Sequence, residues 1–211
     1  MRLIVISSSR TIENETEIIT QFFESGLQTF HLRKRWLSSS RTKKIINGIP
    51  QQYHNRIVLH YNHLLARKYK LKGIHLSKSH KKKKIKTWLI LKFLRFSNPN
   101  IEVSTSFNNI GQLMEMNKTY NYSYVFLSPV FDSLSSKFQS GFTENSLSAA
   151  LQKTQYKVVA RGGVDMEALE KASRIGFEGL AFYSSIWKKK DPSAEFHKTL
   201  DRFKELNIPI E

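Results

Sequence analysis

The chain has 211 residues, 40% of them hydrophobic and 24% charged, which argues against intrinsic disorder as the default reading and suits one domain with a sizeable core. It has no cysteine, which excludes disulfides and thiolate zinc sites. Thirty-four Lys and Arg against 17 Asp and Glu give a formal charge of +17, which favours anionic partners and says nothing about fold.

Short β-type runs alternate with helix-type segments along the whole sequence. Residues 3–7 (LIVIS) form the first predicted strand, and apolar residues at helical spacing follow until Gly26, a C-cap signal. The second strand is 28–33 (QTFHLR), and a polar helix over 41–53 leads to the third at 56–60 (RIVLH). A short helix in 62–73 closes at Gly73, where the fourth strand, 73–77 (GIHLS), begins. Next come four consecutive lysines, 81–84, and a helix whose Ile85, Trp88, Leu89, Phe93 and Phe96 fall at spacings of three and four. That apolar face is expected to pack on the strands. The lysines are expected in the preceding loop, because lysine opposes the dipole at a helix N-terminus.

The fifth strand is 101–106 (IEVSTS), followed by a helix over 109–118 that Gly111 weakens. The sixth is 122–129 (YSYVFLSP), with a helix starting near Glu144. The seventh, 157–163, ends in Gly162 and Gly163. Its helix is expected to run from Asp165, an N-cap by residue type, to a stop at Gly176. The eighth is 177–184, and Pro192 opens the closing helix. Eight such units in one chain imply parallel strands joined by helical crossovers. An open doubly wound sheet shares the pattern, but the count and length favour a single (β/α)8 TIM barrel over residues 1–211. The opening MRLIVISSSR is too short and β-like for a secretory signal, and no apolar run approaches about 18 residues. A cytoplasmic protein without a membrane partner is expected.

In such a barrel the active site lies at the carboxyl ends of the strands. Those ends read HLRKR, LHYNH, HLSKSH, VSTS, LSPVFDSLSSK, ARGGVD and FYSSI for strands two to eight. The set is rich in Arg, Lys, His and Ser and poor in carboxylates, so it is biased toward binding anions. Gly162 and Gly163 expose backbone N–H groups before a helix, and Ser184 and Ser185 add hydroxyls. Phosphate binding after strands seven and eight recurs in this fold. A tight turn alone would also explain the two glycines.

The ordered set of HLRKR, GIHLS, VSTS, YVFLSPVFDSLSSK, VVARGGV and SSI resembles the thiamine phosphate synthase and TenI family over nearly the whole chain. The resemblance implies a transferase of thiamine biosynthesis that joins an aminopyrimidine diphosphate to a thiazole phosphate and releases pyrophosphate. It places Arg33, Arg35 and Lys137 at the diphosphate as catalytic residues. Substrate contacts fall on His31, His60, Ser104, Ser133 and Ser135, and Gly162, Gly163, Ser184 and Ser185 would cradle the thiazole phosphate. Magnesium is the implied cofactor, yet the family's Asn-Asp pair falls on His60 and Tyr61 and its later Asp falls near His80, so no carboxylate remains there and no residue is assigned as its ligand. The TenI branch's histidine falls on Pro129.

Neighbouring His31, His60 and His75 could supply an acid or base, while His75 also reads as a core histidine. A TenI-like or degenerate barrel that binds a phosphorylated thiazole or thiamine metabolite without the synthase reaction is the alternative. The expected partners are phosphorylated small molecules. Nucleic acid is the least favoured partner, and a homo-oligomer stays open.

Overall fold

The computed structural model describes residues 1–115, 120–131 and 142–211. Its eight strands are β1 (Arg2–Ile6), β2 (Thr29–Leu32), β3 (Ile57–Leu59), β4 (Gly73–Leu76), β5 (Glu102–Phe107), β6 (Tyr124–Leu127), β7 (Val158–Arg161) and β8 (Gly179–Phe182). They pair in sequence order as a closed barrel, β1 to β8. The described registers are parallel, such as Phe30↔Ile57, Val125↔Val158 and Arg2↔Gly179. Nearly every strand residue is buried, because parallel strands with helical crossovers are covered on both faces. The chain packs as two compact units: Met1–Val5 with Thr105–Glu211, and Ile6–Ser104.

The helices are α1 (Glu15–Glu24), α2 (Ser39–Asn47), α3 (Leu65–Lys68), α4 (Lys78–Lys82), α5 (Lys84–Ser97), α6 (Gly111–Met114), α7 (Glu144–Lys153), α8 (Ala168–Ile175), α9 (Ser184–Trp187) and α10 (Pro192–Glu205). Their inward faces follow the helical repeat. Helix α1 buries Ile19, Phe22 and Phe23, and α10 buries Phe196, Thr199 and Phe203. Gly176 ends α8 in the left-handed conformation, as the sequence signals require, but the helix starts at Ala168 with Glu167 at its N-cap, later than the Asp165 expected; Asp165 accepts a hydrogen bond from the Ala168 N–H at 2.9 Å from the turn before it. A short 3-10 turn, Gln51–Arg56, replaces the end of the helix expected over 41–53.

The lysine-rich segment departs from expectation twice. Lys81 and Lys82 are helical, because a Ser77–His80 capping box starts α4 upstream of them, and the chain breaks at Lys83 before α5. Helix α5 turns Thr87, Leu91 and Leu94 inward, not the aromatic set. Ile85, Trp88, Leu89, Phe93 and Phe96 face solvent, with Phe96 86% exposed. Both sets have helical spacing, so periodicity does not choose between them. Cations cover part of the outer one: the Arg67 guanidinium lies 4.3 Å from the Phe93 ring centre and Lys92 Nζ lies 5.2 Å from that of Trp88. No helix among the described residues is long and apolar enough to cross a membrane.

Candidate functional site

Within the Ile6–Ser104 unit, the loop after β2 alternates in burial. Arg33 and Arg35 are exposed and Lys34 between them is buried. Lys34 Nζ lies 2.7 Å from Glu15 Oε2 of α1 and donates to the Arg10 carbonyl at 2.7 Å. The Arg33 N–H donates to Ser7 Oγ at 2.8 Å. The backbone between the two arginines is therefore held from below, and both guanidinium groups are left on the outside. Arg35 stacks on Trp36, its Cζ 4.6 Å from the ring centre. Burial pushes the Glu15 carboxyl up, against the Lys34 hydrogen bond and charge, which pull it down. Sequence reasoning passed over Lys34 because nothing in the run HLRKR distinguishes the one cation whose partner lies on another element.

The same unit gathers His31, His60, His75 and Ser104. All four are buried, and His31 Nδ1 lies 2.9 Å from His60 Nε2. Ser104 Oγ lies 3.0 Å from His75 Nδ1, so this serine, assigned to substrate by resemblance, supports a histidine here. The three histidines could hold a metal ion, their ligand nitrogens all lying within 4.8 Å of one another. The sequence placed them at neighbouring strand ends but assigned no metal ligand.

The positions implied for magnesium do not fit that ion, which takes oxygen ligands and usually one or two carboxylates. His60 faces His31, and Tyr61 meets His80 edge-on with ring centres 5.8 Å apart. His80 Nδ1 accepts from the Ser77 N–H at 3.2 Å, as part of the α4 cap. Burial, followed by the charges of Lys83 and Lys86, pushes the His80 imidazole below its usual range. A neutral capping histidine brings no positive charge to replace a lost dication. Neighbouring His63 is pushed down to about 4, mainly by burial.

Within the Met1–Val5 and Thr105–Glu211 unit, β7 and β8 deliver the second group. Gly162 and Gly163 both have left-handed backbone, with φ of 86° and 69°. A Cβ on Gly162 would come within 3.0 Å of Pro129 Cα and 3.3 Å of Ser128 Oγ, so the first glycine answers to packing as well as to the turn. Pro129 stands where the TenI branch carries its histidine. Ser185 Oγ donates to the Val164 carbonyl at 2.8 Å and fastens the two loops together. Gly163, Ser184, Ser185, Lys188 and Lys189 line a cavity of about 440 Å³, together with the acidic Asp165, Glu167 and Glu195. Arg161 donates to Ser106 Oγ at 3.3 Å. Lys188, Lys189 and Arg161 were not singled out from sequence, although Lys188 and Lys189 follow SSIW directly. Ser133, Ser135 and Lys137 lie outside the described residues.

Comparison with known proteins bears on the family and the fold. The family model for thiamine monophosphate synthase matches residues 3–186. Among solved structures, the chain is similar to a thiamine phosphate pyrophosphorylase from Bacteroides thetaiotaomicron, at 27% identity and a TM-score of 0.75, with 98% of each chain covered. A thiamine phosphate pyrophosphorylase from Pyrococcus furiosus shares the fold at 16% identity and a TM-score of 0.74, covering 97% of this chain and 96% of that one. A 3-hexulose-6-phosphate synthase shares it at 15% identity and a TM-score of 0.67, covering 96% of this chain and 99% of that one. No match is found among curated proteins. With its motifs in order on the strands of a closed barrel and a family match over residues 3–186, the chain belongs to the thiamine monophosphate synthase family.

Proposed function

We propose that the protein is a transferase that joins an aminopyrimidine diphosphate to a thiazole phosphate, forming thiamine phosphate and releasing pyrophosphate. The observation that carries this reading is the cavity at the ends of β7 and β8. Its lining includes the Gly163 turn, the Ser184 hydroxyl and two lysines, which would offer donors to a phosphate beside Asp165, Glu167 and Glu195. Arg33 and Arg35 would grip the diphosphate, since guanidinium groups match phosphate oxygens two at a time. When the bond to the diphosphate breaks, the departing pyrophosphate keeps the electron pair. Positive charge and N–H donors placed at its oxygens lower the barrier to that step.

A second reading is favoured by the missing carboxylates at 60, 61 and 80. In it the barrel binds a phosphorylated thiazole or thiamine metabolite without turnover. One experiment separates the two: purified protein is mixed with both phosphorylated substrates, with and without magnesium, and pyrophosphate release is followed. The transferase reading expects release above background, abolished in Arg33→Ala. No release, with calorimetric binding of thiazole phosphate that Gly163→Val removes, would establish the binding-only reading. Neither release nor binding rejects both.

A further inference from the structure

We propose that His31, His60 and His75 form a binding site for one divalent transition-metal ion of the zinc class. The inference is independent of the transfer reaction. The ion is one suited to nitrogen ligands, and its site shares only His60 with the positions implied for magnesium.

Strand pairing brings the three residues together. Register pairs Leu59 of β3 with Ile74 of β4, and one further step sets His60 beside His75. Pairing of β2 with β3 in the same unit brings in His31. All three are buried, at 0%, 3% and 3% exposure. Their rings lie close together: His60 and His75 stack with centres 4.2 Å apart, so one of them would tilt out of the stack to bring its nitrogen to a shared ion, and His31 stands edge-on to them at 5.1 and 6.0 Å.

The buried His54, by comparison, is held by backbone carbonyls. His54 points Nε2 at the Ile46 and Ile49 carbonyls, at 3.0 and 2.9 Å. In the triad two imidazole nitrogens face each other at 2.9 Å. Without an ion, the N–H of one imidazole donates to the other across that gap, and a cation would take the place of that proton. A tetrahedral ion bound at about 2.0–2.1 Å holds its ligand nitrogens about 3.3 Å apart. The His31–His60 pair would open by roughly 0.4 Å to admit it, and the third nitrogen, already within 4.8 Å of both, would close in.

The surroundings fit as well. Ligating histidines ordinarily hydrogen-bond through the other ring nitrogen to a fixed partner, and buried Ser104 serves His75 in that way at 3.0 Å. Imidazole suits zinc, copper, nickel and iron, whereas magnesium requires oxygen. Three neutral ligands leave the fourth position to water or an oxygen anion.

The test uses the full chain without an affinity tag, stripped of metal by a chelator. Zinc titration should saturate at one ion per chain. Cobalt should give the visible absorption of a four- or five-coordinate ion, and excess magnesium should displace neither. Among the seven histidines, ring-nitrogen NMR signals of His31, His60 and His75 should move together on adding zinc. His54 and His197 should stay. His60→Gln should weaken zinc binding by more than the roughly 10–100-fold that loss of an outer-shell partner causes, while His197→Gln should leave it unchanged. If His60→Gln does not fold, the wild-type NMR titration decides. Absence of saturable binding, movement of the His63 and His80 signals in place of the triad, or displacement by magnesium would each overturn the proposal.

Discussion

Replacing Lys34 with methionine removes the cation beneath the Arg33–Arg35 loop and leaves Glu15 buried without it. The two charged atoms are 2.7 Å apart, with side-chain exposures of only 6% and 8%. At an effective dielectric of about 20, that separation corresponds to an attraction of about 6 kcal/mol. Desolvation offsets part of it, and breaking a buried pair from one side typically costs about 3–5 kcal/mol. Glu15 can escape part of that cost by taking up a proton.

Burial already raises its carboxyl above the ordinary value of 4.5, with Lys34 pulling the other way. Without Lys34 the rise is larger. Above the ordinary value and below the raised one, the folded protein holds a proton that the unfolded chain has released. Stability therefore falls as pH climbs through that window, and it falls further in the variant. Urea unfolding followed by circular dichroism should show a loss of about 3–5 kcal/mol at pH 7.5 and a distinctly smaller one near pH 4.5. Adding Glu15→Gln to the variant should recover part of the loss. A loss under about 1 kcal/mol, the scale of a surface pair, or an equal loss at both pH values would refute the argument.

Three further outcomes are expected. Gly162→Ala should lower stability by at least about 1–2 kcal/mol, the cost of left-handed backbone for a residue with a Cβ, because that Cβ also meets Pro129 at 3.0 Å; a melting temperature equal to wild type would contradict this. On α5, Leu91→Ala should cost about 2–5 kcal/mol and Trp88→Ala under about 1 kcal/mol, and the reverse order in denaturant titrations would mean the helix is turned the other way. Ser185→Ala should cost about 0.5–1.5 kcal/mol through the lost bond to the Val164 carbonyl, read from the unfolding midpoint, and no change would remove its fastening role.

The barrel was legible because its signals are local. Alternating apolar runs, the Gly176 stop and Pro192 at the head of α10 each act within a few residues. The phase of α5 was not legible, because two faces share one repeat and only packing against the remaining fold decides which turns inward. Lys34 was hidden for a related reason: its burial depends on Glu15, which lies on another element. The histidines were partly legible, since their strand ends could be aligned. The 2.9 Å approach of His31 to His60 depends on side-chain direction within the barrel, which no spacing in the sequence encodes.

Two glycines at strand starts carry a consequence for how the sheet assembles. A methyl group on Gly179 would meet the Arg2 carbonyl oxygen at 2.6 Å, and one on Gly73 would collide with that of Glu102. Slipping either strand by a single step would drive Leu180 or Ile74 into the same carbonyl and turn every inward side chain out. These two positions work as stops that admit one alignment and reject its neighbours by excluded volume alone.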